Sequence, residues 1–390
     1  MKKVVLFILI ISTFSFAGVL NPFGLYINPG LITEQNFAFF GLNTSGVLLF
    51  KQDLYSIEDL NALLNDGIVN LETINKLSVY SFSDIAAYGT LKIGKFSLSP
   101  FINFDGYIGV SLPDEIKDFI VDNIEVDKTY DASSNSFIRS SVFADAGLII
   151  NIGKVFVAPS FYLPVIYSSK NDQSLTFEYT SSSSPAEANL KFQTNAFIYS
   201  YFPFDNLSAS NLQDISFDDL GIALSVGYYT DNFGISVNNI ILKPSISKYR
   251  VSLSAEATLL YSGEGTDVSL TYDATASMSD FESYLKEVSK IPEITGYYKT
   301  NGKLSLGFRG KYALDKKWSV GGFLVGNFGV FSPYYFIDYL SDASAFVHSF
   351  GSKLDIRIIY FTINMKLISS NISPFSANSF GVNFNFGLGF

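Results

Sequence analysis

Apolar and polar residues alternate along much of this chain, which is the pattern of β-strands with one apolar face. After Lys95, apolar residues collect on one face and mainly polar residues on the other, with Phe101 an exception. The apolar positions are Phe96, Leu98, Pro100, Ile102, Phe104, Ile108 and Val110. A soluble strand typically has about 5–6 residues, whereas a tilted membrane-crossing strand needs about 9–11. The spacing therefore predicts a membrane-crossing strand.

Two predicted hairpins repeat one sequence unit. Each unit has an alternating strand, the sequence Ile-Gly-Lys, a second alternating strand and a proline five residues after the lysine. The turns and prolines are Gly94-Lys95 with Pro100, and Gly153-Lys154 with Pro159. A two-residue connection that contains glycine predicts a tight turn with that glycine at positive φ. Because proline cannot donate a ladder hydrogen bond, each proline predicts a bulge or relaxed pairing.

Further alternating segments cover much of the remaining chain. They lie at 220–238 around a turn near Asp231-Asn232, at 303–328 around the turn 315–317, and less regularly at 335–350 and 355–368. An open sheet edge in lipid would leave backbone groups unpaired, so the strands must close. We therefore predict an all-β, closed antiparallel transmembrane β-barrel of about 14 strands, within a range of about 12–16. The range remains open because 173–204 and 248–276 could cross the membrane or form projecting hairpins.

The last strand has the most regular alternation. Its apolar positions are Phe380, Val382, Phe384, Phe386, Leu388 and Phe390. It resembles the C-terminal strand of bacterial outer-membrane proteins, so we interpret Phe386, Leu388 and Phe390 as a signal for the barrel-assembly machinery. The alternative, an end strand of a soluble sandwich, is disfavoured because an exposed apolar end strand promotes aggregation.

The N-terminus has the pattern of a secretory signal peptide. Lys2 and Lys3 precede an apolar stretch at 4–14, and Ser15-Phe16-Ala17 offers small residues for cleavage. The alternative is an uncleaved anchor, but a membrane-spanning helix needs about 20 apolar residues. We accordingly divide the chain into a signal peptide (1–17), an N-terminal periplasmic or lumenal segment (18–35) and the transmembrane barrel (36–390), located in the bacterial outer membrane.

Three stretches have helical spacing instead of alternation. They are 56–65, 114–123 and 279–290, and the strand count places all three at the end of the barrel with long loops. These predicted helices could cover the barrel mouth, or their apolar faces could simply pack against each other or the membrane.

Composition supports a lipid-facing exterior and argues against several kinds of chemistry. The chain is 48% hydrophobic and 16% aromatic but only 16% charged, against about 25% charged residues in soluble domains. It has no cysteine and one histidine, His348, and it contains no Gly-x-Ser-x-Gly, phosphate-binding or dinucleotide-binding motif. Its net charge of −10 disfavours nucleic acid as a partner. We therefore predict neither an enzyme nor a bound cofactor or metal.

Charged residues on the polar strand faces are the candidate lumen-facing residues. They are Asp84, Asp105, Asp145, Lys303, Arg309 and Lys311. Opposite charges could pair across the barrel as structural elements, or they could line a selective path. Phe101, Phe143 and Ile149 are apolar on otherwise polar faces, which suits a hydrophobic permeant or a plugging segment equally well.

The segment 24–31, Gly-Leu-Tyr-Ile-Asn-Pro-Gly-Leu, resembles the Asn-Pro-Ala-Gly-Leu motif near the start of FadL-like outer-membrane proteins, the family of long-chain fatty-acid transporters with PorV-like and TraF-like relatives. Here Gly30 directly follows Pro29. Segments 233–240 and 303–320 are similar to that family in general character. The resemblance implies a barrel of about 14 strands with its N-terminal segment inside the lumen, where Asn28 and Pro29 form the inner turn.

Together these features predict an outer-membrane channel or transporter for passive uptake of small molecules, hydrophobic ones included. The alternative is a structural or secretion-accessory barrel without an open pore. The expected partners are outer-membrane lipid, the barrel-assembly machinery and a permeant whose identity the sequence leaves open.

Overall fold

The computed structural model describes residues 40–52, 77–121, 125–184, 186–203, 215–264, 267–341, 343–356 and 358–389. These residues contain 19 β-strands in one sheet, an α-helix α1 (Asp114–Val121) and a short 3₁₀ turn (Pro374–Ser376). The signal peptide, the segment 18–35 with Asn28 and Pro29, the helix predicted at 56–65, and Phe390 lie outside the described residues. No helix among the described residues is long and apolar enough to span a membrane.

The strands are β1 (Phe40–Gln52), β2 (Ser78–Ile93), β3 (Phe96–Ser111), β4 (Thr129–Ser134), β5 (Ile138–Ile152), β6 (Val155–Ser183), β7 (Ala186–Ser200), β8 (Gly221–Tyr229), β9 (Phe233–Lys243), β10 (Ser245–Glu264), β11 (Asp267–Met278), β12 (Glu282–Val288), β13 (Glu293–Lys299), β14 (Leu304–Ala313), β15 (Trp318–Gly326), β16 (Phe331–Leu340), β17 (Ala345–Asp355), β18 (Ile359–Ser369) and β19 (Ala377–Gly389).

Fourteen of these strands close into an antiparallel barrel, as predicted. Around the ring the order is β1, β2, β3, β5, β6, β8, β9 and then β13 to β19. The ring closes where β1 pairs with β19, from Gly41 opposite Gly389 to Phe50 opposite Phe380. Both ends of the barrel chain therefore lie at one end of the barrel, which also carries the short turns, and the long connections lie at the other end.

Sequence and structure repeat together in two of the hairpins. Gly94 and Gly153 occupy the predicted turns with φ of 62° and 65°, a backbone region that favours glycine. In β2–β3 the pairing stops between Tyr88–Phe101 and Leu91–Leu98 without a change of register, and the same interruption occurs in β5–β6. These interruptions lie at Pro100 and Pro159, so the prolines mark relaxed pairing and no bulge.

The barrel wall is apolar outside and polar inside, the reverse of a soluble protein. Along β19, Phe380 and Val382 are 60% and 47% exposed, whereas the intervening Asn383 is 2% exposed. On β18, Ile363 and Met365 are exposed while Thr362, Asn364 and Lys366 are buried. An apolar exterior around a polar interior is the signature of a transmembrane barrel.

Aromatic residues mark both rims of this apolar exterior. Near the long-loop end, the Trp318 and Tyr339 ring centroids lie 5.4 Å apart, and Tyr339 also contacts Phe346 at 5.1 Å. Near the short-turn end, Tyr298 stacks on Phe308 with their centroids 5.5 Å apart. Aromatic girdles at both interfaces are typical of transmembrane barrels, where amphipathic rings meet the headgroup layer.

Five strands, β4, β7, β10, β11 and β12, lie outside the ring and form an extension at the long-loop end. The long strand β6 leaves the barrel and pairs with β4 and β7, and β7 pairs with β10. Of the two alternatives left open by the sequence, 173–204 and 248–276 thus form projecting hairpins. Helix α1, one of the predicted helices, packs on this sheet through Phe119, whose ring lies 5.1 Å from Phe177 and 4.7 Å from Tyr179.

The prediction of a helix at 279–290 was wrong, because strand β12 occupies most of this stretch. The apolar spacing of Phe281, Leu285 and Val288 fits a helix, but β12 pairs with β10 from Ser245 opposite Val288 to Arg250 opposite Glu282. The neighbouring strand satisfies the backbone groups that a helix would have satisfied internally. Ion pairs between Arg250 and Glu282 and between Lys286 and Asp172 add to this packing.

A loop at the rim of the barrel is held by Asp219, which accepts hydrogen bonds from Lys248 at 2.7 Å and from Tyr201 at 3.1 Å. The Lys248 hydrogen bond holds the pKa of Asp219 below its usual range. This stabilisation is therefore present above the unfolded-state value of about 4 and is lost as pH falls through the lower folded value. We expect the protection of amides 215–220 against hydrogen exchange, measured relative to the intrinsic rate at each pH, to fall in that acidic range, and Lys248→Met to produce the same loss of protection at neutral pH.

The control for this prediction is Arg250→Met, which removes a different ion pair of the extension. It should leave exchange at 215–220 unchanged at neutral pH. Equal effects of the two substitutions would contradict the role given to the Lys248–Asp219 pair.

Candidate lumen site

A cavity of about 240 Å³ lies inside the barrel near the long-loop end. Inward-facing residues from strands around the ring line it, so it spans the lumen. Among its lining residues are Leu49, Phe82, Asp105, Tyr107, Phe143, Lys290, Glu293, Lys311, Ala313, Asp315, Lys317, Leu340, Ala343 and Ile368.

An ion cluster crosses the lumen at this cavity. Lys290 belongs to the irregular segment 289–292 between β12 and β13, and its Nζ lies 3.0 Å from Asp105 Oδ1 and 2.6 Å from Asp145 Oδ2. The carboxylates stand on β3 and β5, and β6, β8 and β9 separate β5 from β13 in the ring. Lys290 therefore ties together two parts of the barrel wall that are not neighbours.

Asp84 adds a third carboxylate to this cluster. It lies directly opposite Asp105 in the β2–β3 register and is 5% exposed. Among the described residues its Oδ1 is buried without a hydrogen-bond partner. Burying a charge costs several kcal/mol even after local relaxation, so such a cluster of carboxylates is a costly arrangement for a purely structural interior.

Two more lysines line the charged side of the cavity, each held by its own acidic partner. Lys311 on β14 forms an ion pair with Glu293 on β13. Lys317, in the turn after β14, lies 2.7 Å from Asp315 and donates a hydrogen bond of 2.7 Å to the Tyr107 hydroxyl on β3. These pairs give this side of the cavity fixed dipoles and matched charges.

The opposite side of the cavity is mainly apolar, and Lys51 of β1 also lines it. Leu49 on β1 and Ile368 on β18 are 4% and 2% exposed, and Phe82, Leu340 and Ala343 pack against them. A molecule in the cavity would therefore meet hydrocarbon on one side and paired charges on the other. The chamber is amphipathic, as small-molecule pockets commonly are.

A second charged cluster lies in the lumen on β14, β16 and β18. Arg309 Nε donates to Asp338 Oδ1 at 2.8 Å, and the guanidinium makes a second contact through Nη2 with Oδ2. The guanidinium carbon Cζ lies 4.5 Å from the Phe336 ring centroid. Lys366 lies nearby and donates a hydrogen bond of 3.0 Å to Ser349 Oγ. Arg309 and Asp338 are only 2% and 1% exposed. The bidentate geometry fixes both side chains in the interior.

The Arg309–Asp338 pair depends on a glycine on the intervening strand. A Cβ at Gly321 would lie 2.0 Å from Asp338 Oδ1 and 2.5 Å from the Ile337 carbonyl oxygen. Gly321→Ala should displace the carboxylate and lower the free energy of unfolding by about 3 kcal/mol, the cost of breaking a buried pair. The measurement is the urea midpoint of the folded band in unheated gel electrophoresis.

The neighbouring glycine provides the control for this substitution. At Gly322 the nearest atom to an added Cβ is the Gly307 carbonyl oxygen at 3.7 Å, an ordinary contact. Gly322→Ala should leave the midpoint nearly unchanged. Similar losses in the two variants would show that the strand itself, and not the ion pair, excludes a side chain.

Apolar side chains fill part of the lumen on the short-turn side of the cavity. They come from β2, β5, β6, β8 and β13, with Phe101 of β3 packed against them, and the larger ones are Tyr88, Ile149, Phe156, Tyr229 and Tyr297. Phe143, by contrast, lines the cavity, where Lys290 Nζ lies 5.6 Å from its ring centroid.

The structure places five of the six charged residues singled out in the sequence in two groups. Asp105 and Asp145 contact Lys290, Asp84 lies opposite Asp105, and Lys311 pairs with Glu293 at the same cavity. Arg309 pairs with Asp338 in the second charged cluster. Lys303 has the same strand parity but lies exposed in the turn before β14, apart from both groups. Lys290 was not among the predicted lumen-facing residues, because the apolar spacing around it predicted a helix.

Comparisons with known proteins identify no family. No protein-family model and no curated protein matches the chain. Among solved structures, the P. putida toluene transporter TodX is 8% identical over 96% of both chains, with a TM-score of 0.36. A mutant of the Rh. blastica porin is 10% identical over 91% of this chain and 100% of that one, with a TM-score of 0.26. The strand pairings and the apolar exterior define the class of this protein, a closed transmembrane β-barrel.

Proposed function

We propose that this barrel is an outer-membrane channel or transporter that admits small molecules, hydrophobic ones included, by passive passage. The observation that carries the proposal is the amphipathic cavity inside the lumen, with Leu49 and Ile368 on one side and Lys290 and Lys311 on the other. Membership of the FadL-like family belongs to this proposal. It rests on the Asn28-Pro29 motif and on a ring of 14 strands.

The size and lining of the cavity suit a small organic molecule better than a hydrated ion. Its volume of about 240 Å³ is many times the ~10–15 Å³ that one ordered water molecule needs. The lysines on its charged side already have carboxylate partners, so they offer directed hydrogen bonds more than free charge. Hydrocarbon on the other side favours an apolar group.

A barrel without an open pore, acting as a structural or secretion-accessory protein, is the second candidate. One observation favours it: the apolar cluster around Tyr88 and Phe156 and the Arg309–Asp338 pair occupy lumen volume between the cavity and the short-turn end. In that case the extension at the long-loop end would be the functional part.

Flux into vesicles distinguishes these two functions. Proteoliposomes of the refolded barrel would be loaded with a large polymer and exposed to benzyl alcohol, glycerol or arabinose, and swelling would be followed by light scattering. If the barrel is a channel, vesicles that contain it should swell faster than protein-free vesicles. Benzyl alcohol should enter them faster than it leaks through the lipid bilayer alone. Solute entry no faster than in protein-free vesicles would support the closed barrel.

A cavity-filling variant ties any flux to the chamber. Ala313 lines the cavity and is 7% exposed, so Ala313→Trp should place an indole inside and reduce flux severalfold. Ala255→Trp, on the extension sheet, is the control. Equal flux in both variants would show that solute passes elsewhere.

We also propose no catalytic role for His348. Its Nδ1 lies 2.7 Å from the Tyr335 hydroxyl. His348 lies on the outward face of β17, opposite Ile337 of β16. The next residue, Ser349, faces the lumen. The outer-membrane location, the lipid contact and recognition of the C-terminal strand by the assembly machinery remain predictions, supported by the outward-facing Phe386 and Leu388, which are 37% and 44% exposed.

A further inference from the structure

The extension carries an edge strand, β11. Over its whole length β11 pairs with β10, from Leu253 opposite Met278 to Glu264 opposite Asp267, with no break in register. No other strand in the part of the chain that the structure describes pairs with it. All side chains from 269 to 278 are exposed.

The direction of the backbone groups on β11 follows from one hydrogen bond. The Ser279 N–H donates to the Ser252 carbonyl at 2.9 Å, so residue 279 faces β10. Because backbone groups alternate sides along an antiparallel strand, the odd-numbered residues of β11 also face β10. The even-numbered residues, Leu270, Tyr272 and Ala274 among them, direct their N–H and C=O groups to the free edge.

This edge has few of the features that normally prevent strand pairing. Exposed edges are usually protected by charged side chains, lysine above all, by proline, by a bulge or by a short strand length, and β11 carries only the charges of Asp267 and Asp273. β11 is 12 residues long, reads Asp-Val-Ser-Leu-Thr-Tyr-Asp-Ala-Thr-Ala-Ser-Met and pairs with β10 without a bulge. A row of backbone donors and acceptors with this spacing is complementary to one kind of group, another extended polypeptide.

The two faces of β11 specify the side chains of such a strand. Tyr272 continues the apolar row of Tyr179, Leu190 and Leu259 across the sheet. Helix α1 covers this row at Tyr179, whereas Tyr272 remains 78% exposed at the other end. On the opposite face Asp273 lies beside Thr258 and has no cation across the strand pair.

We propose that β11 is a docking edge for an extended segment of another protein, which adds a strand to the extension by β-augmentation. The partner strand has alternating apolar residues that continue the Tyr272 row and a basic residue beside Asp273. This inference is independent of whether the lumen conducts solutes.

The probe is a fluorescent peptide of the same length as β11, 12 residues, with alternating valine and threonine and one central lysine. A peptide of equal composition with its valines grouped together is the control. Fluorescence anisotropy would be measured against the full chain in detergent micelles. We expect the alternating peptide to bind at least about tenfold more tightly, and amide exchange of even-numbered residues in β11 to slow on binding.

Three variants test the geometry. Ala274→Pro removes an edge-facing N–H and should lower affinity about tenfold, the equivalent of a lost hydrogen bond of about 1.4 kcal/mol, while Ala274→Ser should bind as before. Asp273→Lys should weaken binding of the lysine peptide severalfold. The proposal is overturned if both peptides bind equally, or if Ala274→Pro binds normally in a folded barrel. It is also overturned if Ala274→Pro abolishes self-association of the purified protein, which would assign the edge to a second copy.

Discussion

Replacing Lys290 with methionine should change the ion selectivity of the barrel and lower its stability. The substitution leaves Asp84, Asp105 and Asp145 together in the lumen without their shared cation. Removing one partner of a buried ion pair costs about 3–5 kcal/mol, and the remaining negative charge attracts cations. In planar bilayers with a KCl gradient, the reversal potential should shift towards the K⁺ equilibrium value, and conductance should rise because the tie across the lumen is gone.

Two substitutions make this prediction specific. Lys290→Arg keeps the positive charge and should keep selectivity close to that of the parent protein. Lys286→Met removes a comparable lysine whose ion pair with Asp172 lies in the extension, and it should change neither selectivity nor conductance. If Lys290→Met conducts as the parent does, the cluster does not border the solute path.

Replacing Arg309 alone should destabilise the barrel more than replacing Arg309 and Asp338 together. Arg309→Met leaves the Asp338 carboxylate, which is 1% exposed, without its bidentate partner. Loss of that partner costs about 3–5 kcal/mol of stability. In Arg309→Met/Asp338→Leu no charge of the pair remains, and two apolar residues of similar volume are often close to neutral in stability. Urea unfolding in detergent, followed by gel mobility, gives the comparison.

The exposed pair of Arg250 and Glu282 serves as the reference for this experiment. Their side chains are 26% and 52% exposed, and such pairs contribute about 0–1 kcal/mol. Arg250→Met should therefore shift the urea midpoint only slightly. A double variant as unstable as Arg309→Met would mean that the charges of this cluster themselves stabilise the fold, through neighbours such as Lys366.

The fold was predictable because the two faces of a barrel wall contact two different environments. Lipid outside and a polar lumen inside force alternation on each crossing strand, and the repeated turns at Gly94 and Gly153 set the hairpin ends. The extension was harder to predict, since alternation in β6 stops at the polar run 168–174 and resumes at Leu175, Phe177 and Tyr179, so the pattern alone does not decide whether the second part crosses the membrane. The apolar spacing at 279–290 fitted a helix, and only the partner strand β10 decides against it.

The candidate site was predictable only in part, for geometric reasons. Strand parity predicts that Asp84, Asp105 and Asp145 face the lumen, but no local pattern predicts that Lys290 reaches Asp105 and Asp145 from beyond β9. Asp338 lies on a strand whose alternation is less regular, so its pairing with Arg309 of β14 could not be predicted from the sequence. Lys303 has the parity of the lumen residues, yet it stands at the strand end, where parity no longer determines the environment.

The repeated hairpins suggest how such a barrel could change size. The turn glycine and the gap in pairing of β2–β3 recur in β5–β6 at an offset of 59 residues, from Gly94 to Gly153 and from the Tyr88–Phe101 pair to the Gly147–Ser160 pair. The two hairpins are adjacent in the ring, joined where β3 pairs with β5. Such an arrangement is what a duplicated hairpin leaves behind. A gene that gained or lost one of these units would encode a ring two strands larger or smaller, with the same turn chemistry and the same closing seam.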